Sequence, residues 1–386
     1  FLLTGTITSL EDGKNLDITS VNDTIIRGNI NLFGDNSNLK VQSNNWVYWE
    51  GEADITGDIS LLGGVDVDGV TKLSSAKDTS VYVHATSTIN TKQEATTITL
   101  AGGKDIDIYG RVVAGANIGS NGVEYNGDDS IVNINAGEQI FIDTAIVASK
   151  AINITTTEET SSEDNDKSLI LTSASGLTVG GFTSDNTGGN ININTIDDIE
   201  AIGMILSGGS VTQTFDTDGN LETETFSWSE ENSYISITSL GKVSIAGEVL
   251  DINNEAVEIG GVIRAKSGIT INAGVSSDGI GIYLPGSAKL ITYDTNSVID
   301  LSSSGDAVLT GLIIAGGELV DYRDSDGKYL GSEVELKDDN TSKIYISSDK
   351  QITLGRDLIA GSLIDVRGGT GSDRADDTVL GEEGNY

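Results

Sequence analysis

The chain has 386 residues, with 59 Asp and Glu against 22 Lys and Arg, a formal net charge of −37 and no cysteine. Disulfides and thiolate metal sites are thereby excluded. A surface this acidic repels the phosphates of nucleic acid and of anionic membranes, while it favours cations and solubility.

The 48 glycines come with a single proline, which rules out collagen. With 37% hydrophobic residues, rich in Ile, Val and Leu, the chain is also too apolar and too patterned for a disordered acidic polymer. Gly, Asn, Asp, Ser and Thr supply tight turns, and Ile, Val and Thr between them supply strands.

Taken in chain order, Phe1-Leu2-Leu3-Thr4-Gly5-Thr6-Ile7 reads as strand at once. No basic and apolar leader precedes it, which points to a processed or partial chain. Leu2 and Leu3 are candidate interface residues. Trp46-Val47-Tyr48-Trp49 is the densest aromatic cluster. Trp46, Tyr48 and Trp49 are candidates for stacking on sugar rings, for filling an interface, or for plugging the rod near its N-terminal end. His84 is the only histidine. In Val81-Tyr82-Val83-His84-Ala85 it reads as an outward strand residue, with no nucleophile turn beside it.

A repeat then declares itself: Ile98-Thr99-Leu100, a Gly-Gly-Lys corner, Ile106-Asp107-Ile108, a Tyr-Gly corner, Val112-Val113, then Ala114-Gly115 and on to Ile118. Relatives begin near Val132, Ile235, Ile299 and Ile344. Three short strands in about 20 residues make one coil of a solenoid, whose apolar face is buried only by stacking on its neighbours. Alternate Ile and Val point inward, and the polar residues between them point out. An antiparallel sandwich of hairpins is the competing arrangement.

Some segments depart from the repeat. Residues 155–167 are polar and acidic and read as a loop. Asp216-Thr217-Asp218-Gly219 marks a hairpin near 212–226, and Asp324-Ser325-Asp326-Gly327 another near 319–336. Trp228 follows the first as a candidate exposed contact. Residues 368–386 read as a Gly- and acid-rich tail or contact arm. Within it, Gly368-Gly369-Thr370-Gly371-Ser372-Asp373 and Asp376 match the front of a calcium-binding β-roll nonapeptide, so Asp373 and Asp376 are candidate Ca²⁺ ligands. No run of apolar residues approaches the ~20 of a membrane-spanning helix, and no stretch has helical periodicity.

The expected fold is therefore all-β: a right-handed parallel β-helix over 1–367 as one elongated solenoid, with protruding hairpins and almost no helix. The Ile98 unit resembles the repeats of filamentous-haemagglutinin-type adhesins and related giant bacterial surface proteins. The resemblance covers about half the chain and implies a secreted, elongated protein used in adhesion or surface layers. The expected function is structural or adhesive rather than catalytic, at the cell surface, with copies stacking head to tail or on another surface protein. Two further expectations stand beside it. One is a glycan-binding or glycan-cleaving β-helix resembling tailspikes and lyases, which needs a groove lined by carboxylates and aromatics; Asp105 and Asp107 share one strand face, but no sequence feature selects a carboxylate pair. The other is a calcium-dependent module of a secreted giant protein.

Overall fold

The computed structural model describes residues 1–66, 71–73, 75–119, 122–160, 167–184, 187–215, 221–250, 255–323, 329–369 and 379–380. The described residues contain strands and turns and no helix. Three long parallel sheets run the length of the molecule. Sheet A starts at Leu2–Leu3 and sheet B at Ile7–Ser9, each with 12 strands, while sheet C starts at Leu16–Ser20 and has 13. The chain visits A, B and C in turn and returns to A one rung further on, which is a parallel β-helix of the right-handed sense that strand–crossover–strand connections take. Twelve rungs at the usual strand spacing make a rod roughly 55 Å long.

The core follows from the alternation. Successive inward residues of sheet C stack from Leu16 through Leu39, Ile59 and Ile98 to Ile344 and Ile364, a column that is aliphatic at every rung. Columns from the other two sheets meet it, and almost all of these side chains are inaccessible to solvent. Corners are closed by small residues. Gly51 sits directly over Gly28, and a Cβ on Gly51 would lie 1.9 Å from the Gly28 carbonyl oxygen. Buried hydroxyls line the turn from B to C, where Thr91 and Thr96 lie 2.7 Å apart and Ser149 accepts the Ser130 amide at 2.9 Å.

Coil length varies more than the Ile98 unit suggests. Asn133 and Asn153 are register partners 20 residues apart, whereas Asp306 and Gln351 on adjacent rungs are 45 apart. Hairpins account for much of the difference. Those of Gly209–Phe215 with Leu221–Trp228, and of Gly317–Arg323 with Tyr329–Leu336, are accompanied by two that the alternation did not reveal. Ala116–Gly119 pairs with Gly122–Tyr125, so Ile118 belongs to a hairpin and not to the next coil. Ala246–Leu250 pairs with Ala256–Gly260, so Ala246-Gly247 opens a hairpin where a simple corner was expected.

Of the four two-stranded hairpins among the described residues, three leave from the same B-to-C corner, after Gly115, Gly208 and Gly316, whose φ values of 66, 90 and 77° need glycine. They lean back on sheet B. Val113 and Val147 on its outer face pack under Ile118, Val123 and Tyr125, and Ile291 and Ile314 pack under Leu319 and Val334. Residues 155–167 begin in the strand Ala151–Thr156 and end in the strand Lys167–Leu171. The Asp216–Gly219 and Asp324–Gly327 turns, together with Asp373 and Asp376, lie outside the described residues.

Candidate interaction surfaces

The first described rung leaves part of its core uncovered. Leu3, Ile7 and Leu16 are half-buried, whereas their partners one rung on, Ile26, Ile30 and Leu39, are 0–1% exposed. Around them Phe1, Leu2, Leu10 and Val21 expose more than half of their surface. No described strand pairs with the outer edge of these first three strands. At the other end the edge of sheet C is taken by Val379–Leu380, which runs antiparallel to Leu363–Arg367.

The aromatic cluster is split by the strand period. Trp49 points inward in the third rung of sheet A, is fully buried and donates Nε1–H to the Gly51 carbonyl at 2.8 Å. It is core, neither an end plug nor an interface. Trp46 and Tyr48 lie on the outer side and begin a row that follows the rod axis. Ring centroids are 5.3 Å apart for Trp46–Tyr48, 5.2 Å for Tyr48–Tyr82, 5.4 Å for Tyr82–Tyr109 and 5.3 Å for Tyr109–Phe141. The Tyr48 and Tyr82 ring planes are parallel within 4°, so each covers the other's face. The row braces sheet A along its axis as cross-strand pairs do. Lys77 closes it, 4.4 Å above the Trp46 ring and 2.7 Å from Asp23. His84 stands beside the row, its Nδ1 3.0 Å from the Thr86 hydroxyl.

Two carboxyls sit in this region. Burial lifts Asp105 to about 6, helped by the nearby Glu138, against the hydrogen bond it accepts from the Gln139 amide. Burial also raises Asp107, which stands in register between Tyr82 and Phe141 and accepts a hydrogen bond from Thr79 at 3.1 Å. Desolvation keeps the Tyr48, Tyr82 and Tyr109 hydroxyls neutral beyond their ordinary range.

Trp228 is half-buried, in the hairpin strand and not beyond it. It stacks on Tyr293 at 5.0 Å, and Lys337 caps the far side of that pair 3.8 Å from the Tyr293 centroid. Arg264, outward on sheet B but only 7% exposed, lies 3.9 Å from the Phe226 ring. These contacts fasten the hairpin to the rod.

Sheet C carries a face of a different kind. Seven successive strands, from Ile59–Gly63 to Gly268–Ala273, contain no charged residue, although 21% of the whole chain is charged. The rungs on either side carry Lys40 and Asp300. Outward positions in between are mostly Asn, Thr and Ser. Asn153 Nδ2 donates to Asn133 Oδ1 and Asn192 Nδ2 to Asn153 Oδ1, both at 2.9 Å. Tyr234 is 47% exposed, and its ring lies over Gly268, where a Cβ would meet Cδ1 at 2.9 Å.

No family model, curated protein or solved structure matches this chain. Its function is accordingly read from its own surfaces.

Among the described residues no group of three or more His, Asp or Glu is placed to hold a metal ion. Sequence reasoning singled out Leu2, Leu3, Trp46, Tyr48, Trp49 and Trp228 by residue type. It passed over Phe1, Leu10 and Val21, which share that first rung, and the sheet C face with Tyr234. The signal for that face was present as strands without charge recurring in a highly charged chain, but only the coil register places them side by side.

Proposed function

We propose that this chain is a segment of an extracellular, rod-forming surface protein of the adhesin or filament kind, structural and adhesive rather than catalytic. The observation that supports it best is the rod itself, three stacked parallel sheets around one continuous aliphatic core. In its first rung Leu3, Ile7 and Leu16 are half-buried and no described strand pairs with the outer edges beside them, a surface that a further rung, from this protein or from another copy, would cover. Covering each of the three half-buried side chains is worth about 1 kcal/mol, before the edge hydrogen bonds are added. A contact between unlike ends does not close on itself, so copies joined this way form a filament. The charge of −37 opposes sideways clumping and leaves the apolar end as the favourable contact.

The test is electron microscopy with sedimentation velocity on the wild-type chain and on the Leu2→Asp/Leu3→Asp double variant. Wild-type protein should form rods several times the length of one molecule as its concentration rises, and the variant should remain single rods with an unchanged circular dichroism spectrum. Wild-type protein that stays monomeric, or a double variant that lengthens equally, rejects end-to-end stacking.

A further inference from the structure

We infer that the outer face of sheet C, from Ile131–Ala136 to Gly268–Ala273, is a binding face for an uncharged polysaccharide, with Tyr234 as its stacking platform. This gives the adhesive part of the proposed function a ligand. It does not depend on end-to-end stacking, because the face lies along the side of the rod.

Charge makes the first argument. The chain carries −37 overall, yet seven adjacent strands of one sheet have no charged side chain. In the first two, Leu62 and Ala101 are covered by Val65, and charge reaches the face only at its margin, where Lys72, paired with Glu138 and Glu158, stands beside Asn135 and Thr155. A solvated surface has no need of such a gap. A polyanion is repelled by the rest of the rod. A second copy brings another −37 alongside, so pairing face to face is opposed as well. A neutral chain approaches without penalty.

Hydrogen-bonding chemistry makes the second. Asn, Thr and Ser each offer both donors and acceptors, as sugar hydroxyls do, whereas an apolar partner would bury these groups unpaired. The Asn133–Asn153–Asn192 ladder holds its amides in a fixed orientation, with one N–H of each upper residue spent on its neighbour and the other unspent within the ladder. The face is therefore ordered before a ligand arrives, which lowers the entropy cost of binding. Asn194 and Asn272, at outward positions of two nearby rungs, are exposed.

Tyr234 makes the third. Its register partners are Asn190 on one side and Gly268 on the other. Gly268 has no side chain, so the ring settles over that rung and still leaves 47% of the residue exposed. An aromatic ring laid beside an array of amides and hydroxyls suits a pyranose, which has apolar C–H faces and a polar rim. The row on sheet A differs, because there the rings cover one another.

The experiment is native affinity electrophoresis of wild-type and Leu2→Asp/Leu3→Asp protein through gels containing β-glucan, galactomannan, xylan or dextran, with alginate as the acidic polymer. Both proteins should be retarded by at least one neutral polymer and not by alginate. Tyr234→Ala and the double variant Asn194→Asp/Asn272→Asp should each weaken that retardation fivefold or more, while Tyr234→Phe retains it. All these positions are exposed, and thermal melts check that the variants are folded. Absence of retardation by every neutral polymer, equal retardation by alginate, or retardation unchanged in the Tyr234→Ala and double-Asp variants overturns the inference. So does concentration-dependent dimerisation that these variants abolish, which would assign the face to a second copy.

Discussion

At the scale of single residues, the environment of a side chain here depends on strand parity more than on residue type. Trp49 and Tyr48 are neighbours in sequence, yet one is core and the other lies on the outer face. Asp105 shows how a carboxyl behaves when parity puts it outside and its surroundings half cover it. Its folded value of about 6 lies above the 3.8 of a free side chain. Between those values the folded state binds more protons than the unfolded one. Stability from this group is thus complete at low pH and is lost as pH rises through the window. Asp105→Asn, which is always neutral, should therefore be more stable than wild type at pH 8, by about 1 to 2 kcal/mol after discounting for solvent screening. The advantage should vanish near pH 3.5. Urea melts at both pH values decide it, and a variant no more stable than wild type at pH 8 would show that the carboxyl is not disfavoured in the fold.

At the scale of strands and corners, stacking converts an ordinary glycine into a required one. Gly5 and Gly51 occupy equivalent corners, but a Cβ on Gly5 would meet nothing within 4 Å, whereas on Gly51 it would run into backbone at 1.9 Å. Gly51→Ala should cost about 3 kcal/mol, because neither rung can yield without disturbing the next. Gly5→Ala should change stability by less than about 0.5 kcal/mol. Thermal melts of the two variants separate the effect of stacking from that of glycine's flexibility, and equal melting temperatures would refute it. The hairpins follow the same logic. Three of the four described hairpins leave at a corner where glycine already has positive φ, so an insertion there interrupts no column of the core.

At the scale of the whole molecule, each rung is held by its neighbours, and the opposing force is the repulsion among 59 carboxylates set against 22 basic groups. Raising NaCl from 10 to 500 mM shortens the screening length from about 30 Å to a few ångströms. The melting temperature should rise with it, and a flat or falling response would mean that the ion pairs outweigh the net charge. Calcium compared with magnesium at matched ionic strength tests the expectation on Asp373 and Asp376. A rise specific to calcium would indicate ligands in the tail, and equal rises would reduce calcium to screening.

The sequence alone determined the class of fold, because its alternation and Gly corners allow few folds other than stacked coils. It also located the hairpins around 212–226 and 319–336, where Asp-Gly turns lie between alternating strands. Runs such as Val112-Val113-Ala114 and Leu312-Ile313-Ile314-Ala315, apolar on both strand faces, recorded that sheet B is covered on its outer side as well. What covers it was settled only by the tertiary structure, since coil lengths of 20 to 45 residues hide which strand lies on which. For the same reason the order of the aromatic row, the exposure of the first coil's core columns and the uncharged face of sheet C belong to the three-dimensional structure. Each is a property of neighbours one rung apart, and a rung is a distance along the axis that the chain covers in a different number of residues each time.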